Sequence, residues 1–354
     1  MNFAKRLLMS AVIGWGVIMG SLACSGGQPA PSPELVVSPT LIVALPTLEE
    51  QDVVTVKYPS LYLSANSATV LLDKVKGGFQ IYTLPDLTPR WSADSYENIV
   101  DVILSPSGQQ AALWTTADNA LELLGREPKQ SYPLPYRRAR IQGLTLADSG
   151  DRMVLLAAPD TGQAQSRLEI WSLPPGDNPV AALELPAADS GRVLANSEFS
   201  RFAVRFGNDK FTAVYDWAKQ DGPLTLLWQE TDPNHSPTDL ALYHDWVWAV
   251  QDEGPLGWFG TDEPVQLPGN LRDRLRFSPT GSHLLVYRVE KSVDVTTAEV
   301  LFRLFDLNSL HQTKQVSHVI NNHNNAVFGL SADLELFELR ATREATLEFK
   351  ELGW

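Results

Sequence analysis

A single cysteine, Cys24, is all the thiol chemistry in this sequence. No disulfide can form within the chain, so any exported domain must be held together by its core. Basic residues are also scarce, with 28 Lys and Arg against 42 Asp and Glu, a net charge of −14. An excess of that size repels phosphate backbones and anionic lipid headgroups, which excludes both as general partners. No glycine-rich phosphate loop, Gly-x-Ser-x-Gly elbow or His-Glu-x-x-His helix motif occurs. The acidic spacing of a calcium loop is absent as well. The six histidines are scattered. His318 and His323 are five apart with no cysteine nearby, fewer donors than a zinc site needs. The expectation is therefore no metal, no cofactor and no nucleic-acid partner.

Only one apolar run is long. Leu7 to Leu22 follows Lys5 and Arg6 and precedes Ser21-Leu22-Ala23-Cys24. Sixteen helical residues span about 24 Å, short of the ~30 Å hydrocarbon core. Residues 1–23 therefore read as a secretory signal. A lone cysteine at the end of such a signal resembles the acceptor of a bacterial lipoprotein, which implies lipidation of Cys24 and a membrane anchor. Ser21 stands where the usual lipoprotein box has Leu, and Ser21-x-Ala23 also fits an ordinary signal-peptidase site at the same bond. With Ser25 after Cys24, the resemblance implies a lipid-anchored, extracytoplasmic place in the cell envelope, at the outer membrane if the host has one. Removing residues 1–23 leaves 26 basic and 42 acidic side chains, a charge of −16. Residues 24–50 carry Pro29, Pro31, Pro33, Pro39 and Pro46 and read as an extended tether.

What the rest has in quantity is short apolar runs punctuated by turns. Arg276-Phe277-Ser278-Pro279-Thr280-Gly281 followed by His283-Leu284-Leu285-Val286 reads as strand, tight turn, strand. Related stretches turn near Ser67, Gly108, Gly150, Ser200, Asp245 and Asn325, at spacings of 41, 42, 50, 45, 36 and 44 residues. A third alternating run follows each pair, as in Leu168-Glu169-Ile170-Trp171. A fourth often ends in Leu-Pro (Leu134-Pro135, Leu185-Pro186, Leu267-Pro268), which suits an outer edge strand. Four short strands recurring about every 40–45 residues predict an all-β propeller of seven four-stranded blades over residues 51–354. Val53-Val54-Thr55-Val56 alternates like a strand and is a candidate to complete the last blade.

Phe277 to Gly281 and Leu104 to Gly108 resemble the Phe-Ser-Pro-Asp-Gly turn of bacterial WD-repeat-like propellers of the TolB type. The resemblance implies the fold and leaves function open, because propellers host many unrelated activities. The Gly-His and Trp-Asp dipeptides of eukaryotic repeats are missing, so blade cohesion is expected to come from apolar packing.

Two basic clusters interrupt this acidic chain: Arg137, Arg138 and Arg140 before Ile141, and Arg272, Arg274 and Arg276 before Phe277. Arg192 lies at a comparable place. Each cluster falls where an outer strand hands over to the next inner strand, on one face of a propeller. Arginine there suits an anion- or partner-binding rim, and solvated loop charge is the plainer alternative. The tryptophans between Trp228 and Trp258 read as packing between blades or as an aromatic surface, and Asp252-Glu253 and Asp262-Glu263 read as solvated loop acids. The function that follows is a membrane-anchored binding or scaffold module, with an envelope protein or extracytoplasmic ligand as partner. The rival is a propeller enzyme of the lactonase or lyase kind, which needs His, Asp or Glu side chains converging on the channel mouth.

Overall fold

The computed structural model describes residues 60–354 apart from short segments at 75–77, 95–98, 117, 126–129, 160–164, 189, 207–210, 218–221, 232–235, 260–262, 293–296, 322–325 and 343–345. The signal sequence, Cys24, the tether and the Val53–Val56 strand lie outside the described residues, as do Asp262, His323 and Asn325.

Seven antiparallel sheets follow one another along the chain. Blade 1 holds β1 (Ser60–Leu63), β2 (Thr69–Asp73), β3 (Phe79–Thr83) and β4 (Thr88–Ala93). Blade 2 holds β5 (Ile99–Leu104), β6 (Ala111–Thr115), β7 (Ala120–Leu123) and β8 (Gln130–Pro133). Blade 3 holds β9 (Ile141–Leu146), β10 (Arg152–Ala157), β11 (Gln165–Ser172) and β12 (Ala181–Pro186). Blade 4 holds β13 (Gly191–Ala195), β14 (Arg201–Phe206), β15 (Thr212–Asp216) and β16 (Thr225–Glu230). Blade 5 holds β17 (Leu240–Tyr243), β18 (Trp246–Gln251), β19 (Gly254–Phe259) and β20 (Val265–Gln266). Blade 6 holds β21 (Arg274–Phe277), β22 (His283–Ser292), β23 (Thr297–Asp306) and β24 (Gln312–Asn321). Blade 7 holds β25 (Ala326–Leu330), β26 (Leu336–Ala341) and β27 (Leu347–Glu351). Six sheets are thus four-stranded and the last is three-stranded among the described residues. The arrangement is a seven-bladed β-propeller.

The strand sequences follow from their position in the stack. A second strand is covered on both faces by neighbouring blades, so it is apolar throughout: Met153 to Ala157 of β10 are all buried. An outer strand has one covered face at most, so β12 alternates. The apolar clusters span adjacent blades. One joins Ala112, Leu121 and Leu134 of blade 2 to Met153, Leu155 and Trp171 of blade 3. Another closes the ring, joining Val70 of blade 1 to Phe337 and Leu339 of blade 7. The aromatic segment serves this packing: Trp248 is fully buried and stacks on Trp246 at 5.2 Å, and Trp228 meets Trp258 at 5.2 Å.

Every turn between the first two strands of a blade contains one residue in the left-handed region: Ser67, Gly108, Gly150, Phe199, His244, Gly281 and Leu334. Glycine takes that conformation without penalty, and an L side chain there costs about 1–2 kcal/mol. One expectation needs correcting. The seventh turn is not near Asn325 but at Ser331–Leu334, between β25 and β26. Blade 6 has three ten-residue strands, so its successor starts late, and the turn there carries leucine where a glycine would have marked it.

Apolar packing is also not the whole of blade cohesion. The first-turn residues bond from blade to blade. Ser107 N–H donates to Asp148 Oδ1 (3.0 Å), and Asn196 Nδ2 to His244 O (2.7 Å). The blade 1 turn goes further. Ala65 N–H donates to Pro106 O of blade 2 (2.9 Å), and its carbonyl accepts from Phe277 N–H of blade 6 (3.2 Å). Ser67 Oγ donates to Phe277 O (3.0 Å), and Asn66 Nδ2 to the Tyr243 hydroxyl of blade 5 (3.2 Å). This four-residue turn thus bonds directly to blades 2, 5 and 6.

Tyr243 Oη in turn donates to Pro279 O (3.1 Å), so one hydroxyl joins blades 1, 5 and 6. Tyr243→Phe leaves the buried Asn66 amide without this acceptor, at a cost of about 1–3 kcal/mol. Urea unfolding should show a lower midpoint at unchanged m-value; an unchanged midpoint would remove this contact from the account.

Candidate functional site

The face opposite the first turns carries the connections from one blade to the next, and here the two arginine clusters prove different. In the second, Asp273 is fully buried. It accepts from Arg303 Nη2 (2.9 Å), Arg288 Nη1 (3.4 Å) and the Asn270 N–H (3.0 Å). Arg274 donates to Thr238 O (3.1 Å), and Arg276 donates to Leu275 O (2.6 Å) and pairs with Asp239 at 4.0 Å. Burial opposes the Arg276 charge, but Tyr287 and Asp239 together hold its pKa above the ordinary value. Arg274 and Arg276 therefore bind blade 6 to the start of blade 5. Arg272 alone of the three is exposed without a side-chain partner among the described residues.

The first cluster forms a short 3-10 turn, Arg138–Arg140, leading into β9. Arg137 and Arg138 are exposed and have no side-chain partner among the described residues. Arg140 lies over the Tyr136 ring at 4.4 Å and donates to Ala158 O (3.3 Å). Blades 3 and 6 are three steps apart in the ring, so the clusters flank the channel mouth from opposite sides and do not merge. Arg192 on β13 is exposed, and its charge reaches Asp101 on β5. Burial holds Asp101 above the ordinary carboxylate value; the Val102 N–H and Arg192 oppose this and Asp73 adds to it.

Beside the first cluster lies a feature that sequence reading missed. A cleft of about 440 Å³ between blades 2 and 3 is lined by Tyr136, Arg167, Glu169 and Trp171, with Gly176 to Pro179 at its lip. Glu169 is fully buried. Its Oε1 accepts from the Tyr136 hydroxyl (2.7 Å) and lies 3.3 Å from Arg167 Nε, and its Oε2 accepts from Trp171 Nε1 (3.0 Å). A buried carboxylate with two hydrogen-bond donors and an ion-pair partner is a satisfied one. The only sequence signal was a charged residue inside the apolar run Leu168 to Trp171. A smaller cavity of about 120 Å³ lies between blades 6 and 7, lined in part by Glu338, Arg340, Glu348 and Lys350, whose charges cancel.

Two arrangements resemble catalytic ones. Ser197, Glu198 and His244 meet where the turns of blades 4 and 5 touch. A nucleophilic relay needs hydroxyl and carboxylate on opposite ring nitrogens. Here both approach Nδ1, so the group joins two turns. His318 bonds Gly353 O through Nε2 (3.0 Å). Among the described residues no three His, Cys, Asp or Glu side chains are grouped as metal ligands. Asp252 and Glu253 are exposed at the β18–β19 turn.

No family model and no curated protein matches the chain. Among solved structures it is similar to the β-propeller domain of Myceliophteria thermophila Cps50 (Swd1), with 12% identity and a TM-score of 0.41 over 66% of this chain and 93% of that one. It is also similar to a eukaryotic initiation factor, with 12% identity and a TM-score of 0.48 over 85% of this chain and 89% of that one. Neither likeness assigns an activity, and the propeller assignment rests on the seven sheets themselves.

The cleft has a spectroscopic signature. Burial, then the bond to Glu169 and its charge, push the Tyr136 phenol up to about 12; burial alone does the same for Tyr215. Both stay protonated in the folded state while the unfolded phenol ionises near 10. The folded state thus binds more protons between pH 10 and 12, so their contribution to stability is complete below pH 10 and is lost as pH rises toward 12. Burial also raises Tyr287, so absorbance at 295 nm should show Tyr136 and Tyr215 among the late-ionising tyrosines, and Tyr136→Phe should remove one late step. A single ionisation near pH 10 for all tyrosines would contradict the geometry.

Proposed function

We propose that this chain is an exported scaffold of the cell envelope, anchored through lipid on Cys24, whose propeller holds an envelope protein or another extracytoplasmic ligand. The fold suits a protein-binding scaffold: a rigid ring presents one face of connections for recognition. The observation that carries the reading is on that face. Arg137, Arg138 and Arg272 are exposed and lack side-chain partners among the described residues, in a chain of net charge −14. Arginines with no work inside the fold are suited to paired recognition of carboxylates or other anions on a partner. Arg140, Arg274 and Arg276 complete the surface while also holding the blades.

Anchoring supports the same role. Two or more acyl chains give stable attachment where one gives marginal binding. A tether of residues 24–50, rich in proline, then keeps the propeller near the bilayer with freedom to meet a partner.

Replacing Arg137, Arg138 and Arg272 together by Glu should weaken capture of crosslinked partners from native envelopes at least tenfold, with the melting temperature unchanged. Cys24→Ala should release the chain from the membrane fraction. Undiminished capture by the charge-reversed chain would reject the surface, and membrane retention of the Cys24→Ala chain would reject the lipid anchor.

A further inference from the structure

The two connections bearing arginine are not equivalent. At blade 6 the chain uses Arg274 and Arg276 on Thr238 and Asp239, and only Arg272 is left over. At blade 3 Arg137 and Arg138 are both left over, and the adjoining residue Tyr136 is a wall of the 440 Å³ cleft. That volume falls within the roughly 300–1,000 Å³ typical of ligand sites. Tyr136 and Trp171 supply aromatic surface in it, and Pro135 and Pro179 add rigid apolar walls.

The charges around the cleft do not cancel. Arg167 lines it, Arg140 lies over the ring of its wall residue Tyr136, and the exposed Arg137 and Arg138 directly follow Tyr136 in the chain. Two carboxylates line it: Glu169 and Asp177. Glu169 is occupied by the Tyr136 hydroxyl, Arg167 and Trp171 Nε1, and Asp177 is exposed on the lip. The result is a local positive excess beside an aromatic recess on an acidic protein. An acidic chain carrying a ring or other apolar side chain is the ligand that such a surface complements.

We infer that the cleft between blades 2 and 3 is the recognition site, and that its ligand is an acidic peptide segment of a partner protein. Peptide carboxylates pair with Arg137 and Arg138, and one side chain enters the cleft against Tyr136 and Trp171. This rests on the scaffold reading above and narrows it to one of the two arginine connections.

The test uses the full chain in detergent and an octapeptide of alternating glutamate and tyrosine, labelled with fluorescein and read by anisotropy. The peptide should bind with an affinity that falls as salt is raised, and its lysine–tyrosine counterpart should not bind. Arg137→Ala with Arg138→Ala should weaken binding at least tenfold, and Lys291→Ala, at an exposed cation on β22 of blade 6, should leave it unchanged. Gly176→Trp should abolish binding by filling the cleft. A side chain fits there because a Cβ at Gly176 meets nothing nearer than Asn178 O at 4.0 Å. Gly176→Ser, which leaves the cleft open, should bind normally and guards against a folding defect in the larger variant. Loss of binding in Arg272→Ala alone would overturn the cleft and keep the partner face, relocated to blade 6. No binding to the wild-type chain would overturn the cleft, while envelope crosslinking decides the scaffold reading separately. Preference for phosphatidylglycerol vesicles over the peptide would overturn the peptide assignment.

Discussion

The turn from Ser64 to Ser67 is the constraint on which the ring depends. A propeller is a chain of blades that mostly touch their neighbours, so its weak point is the seam where last meets first. Here that seam is the apolar contact of Val70 with Phe337 and Leu339. Non-directional packing of this kind resists separation but does little to fix register. The hydrogen bonds of Ala65 to Phe277 and of Asn66 to Tyr243 reach past the seam to blades 6 and 5, while Ala65 also holds Pro106 of blade 2. Opening the seam therefore breaks directional bonds in buried surroundings, where each unmet group costs about 1–3 kcal/mol.

The face opposite the first turns of the blades carries the connections between blades. On the connection face Asp73 and Arg192 act in opposite senses on Asp101. The arginines of that face divide by the work they do inside the fold. Arg303 and Arg288 neutralise buried Asp273, and Arg274 and Arg276 fasten blade 6 to blade 5. Arg137 and Arg138 have no side-chain partner among the described residues. A surface charge that contributes little to stability is free to serve recognition, and the proposed partner site is drawn on that difference.

Much of the fold was legible in the sequence because glycine marks the left-handed position of a tight turn. Gly108, Gly150 and Gly281 stand at that position as expected. Phe199 and His244 occupy it one residue before the turns read at Ser200 and Asp245, because the surrounding apolar runs still bracketed them. Leu334 was missed: nothing in Ser331-Ala332-Asp333-Leu334 distinguishes it from loop, and the long strands of blade 6 shifted the period. The site was less legible. Two arginine clusters of the same composition look alike until the backbone shows that Thr238 and Asp239 face one of them. Glu169 is hidden in an apolar run, and its donors Tyr136 and Trp171 come from two different blades. The bridging role of Ala65 was invisible, since it is made by backbone groups that every residue carries.

The most direct measurement of the central claim is hydrogen exchange of the backbone amides over residues 63–69 and 275–279, followed by mass spectrometry on the native chain. If the blade 1 turn holds the ring, the Ala65 and Phe277 amides exchange only with global unfolding, as slowly as the buried amides of β10. Exchange of these amides on the fast timescale of exposed loops, with β10 still protected, would show that the ring stays closed without them and would contradict the account.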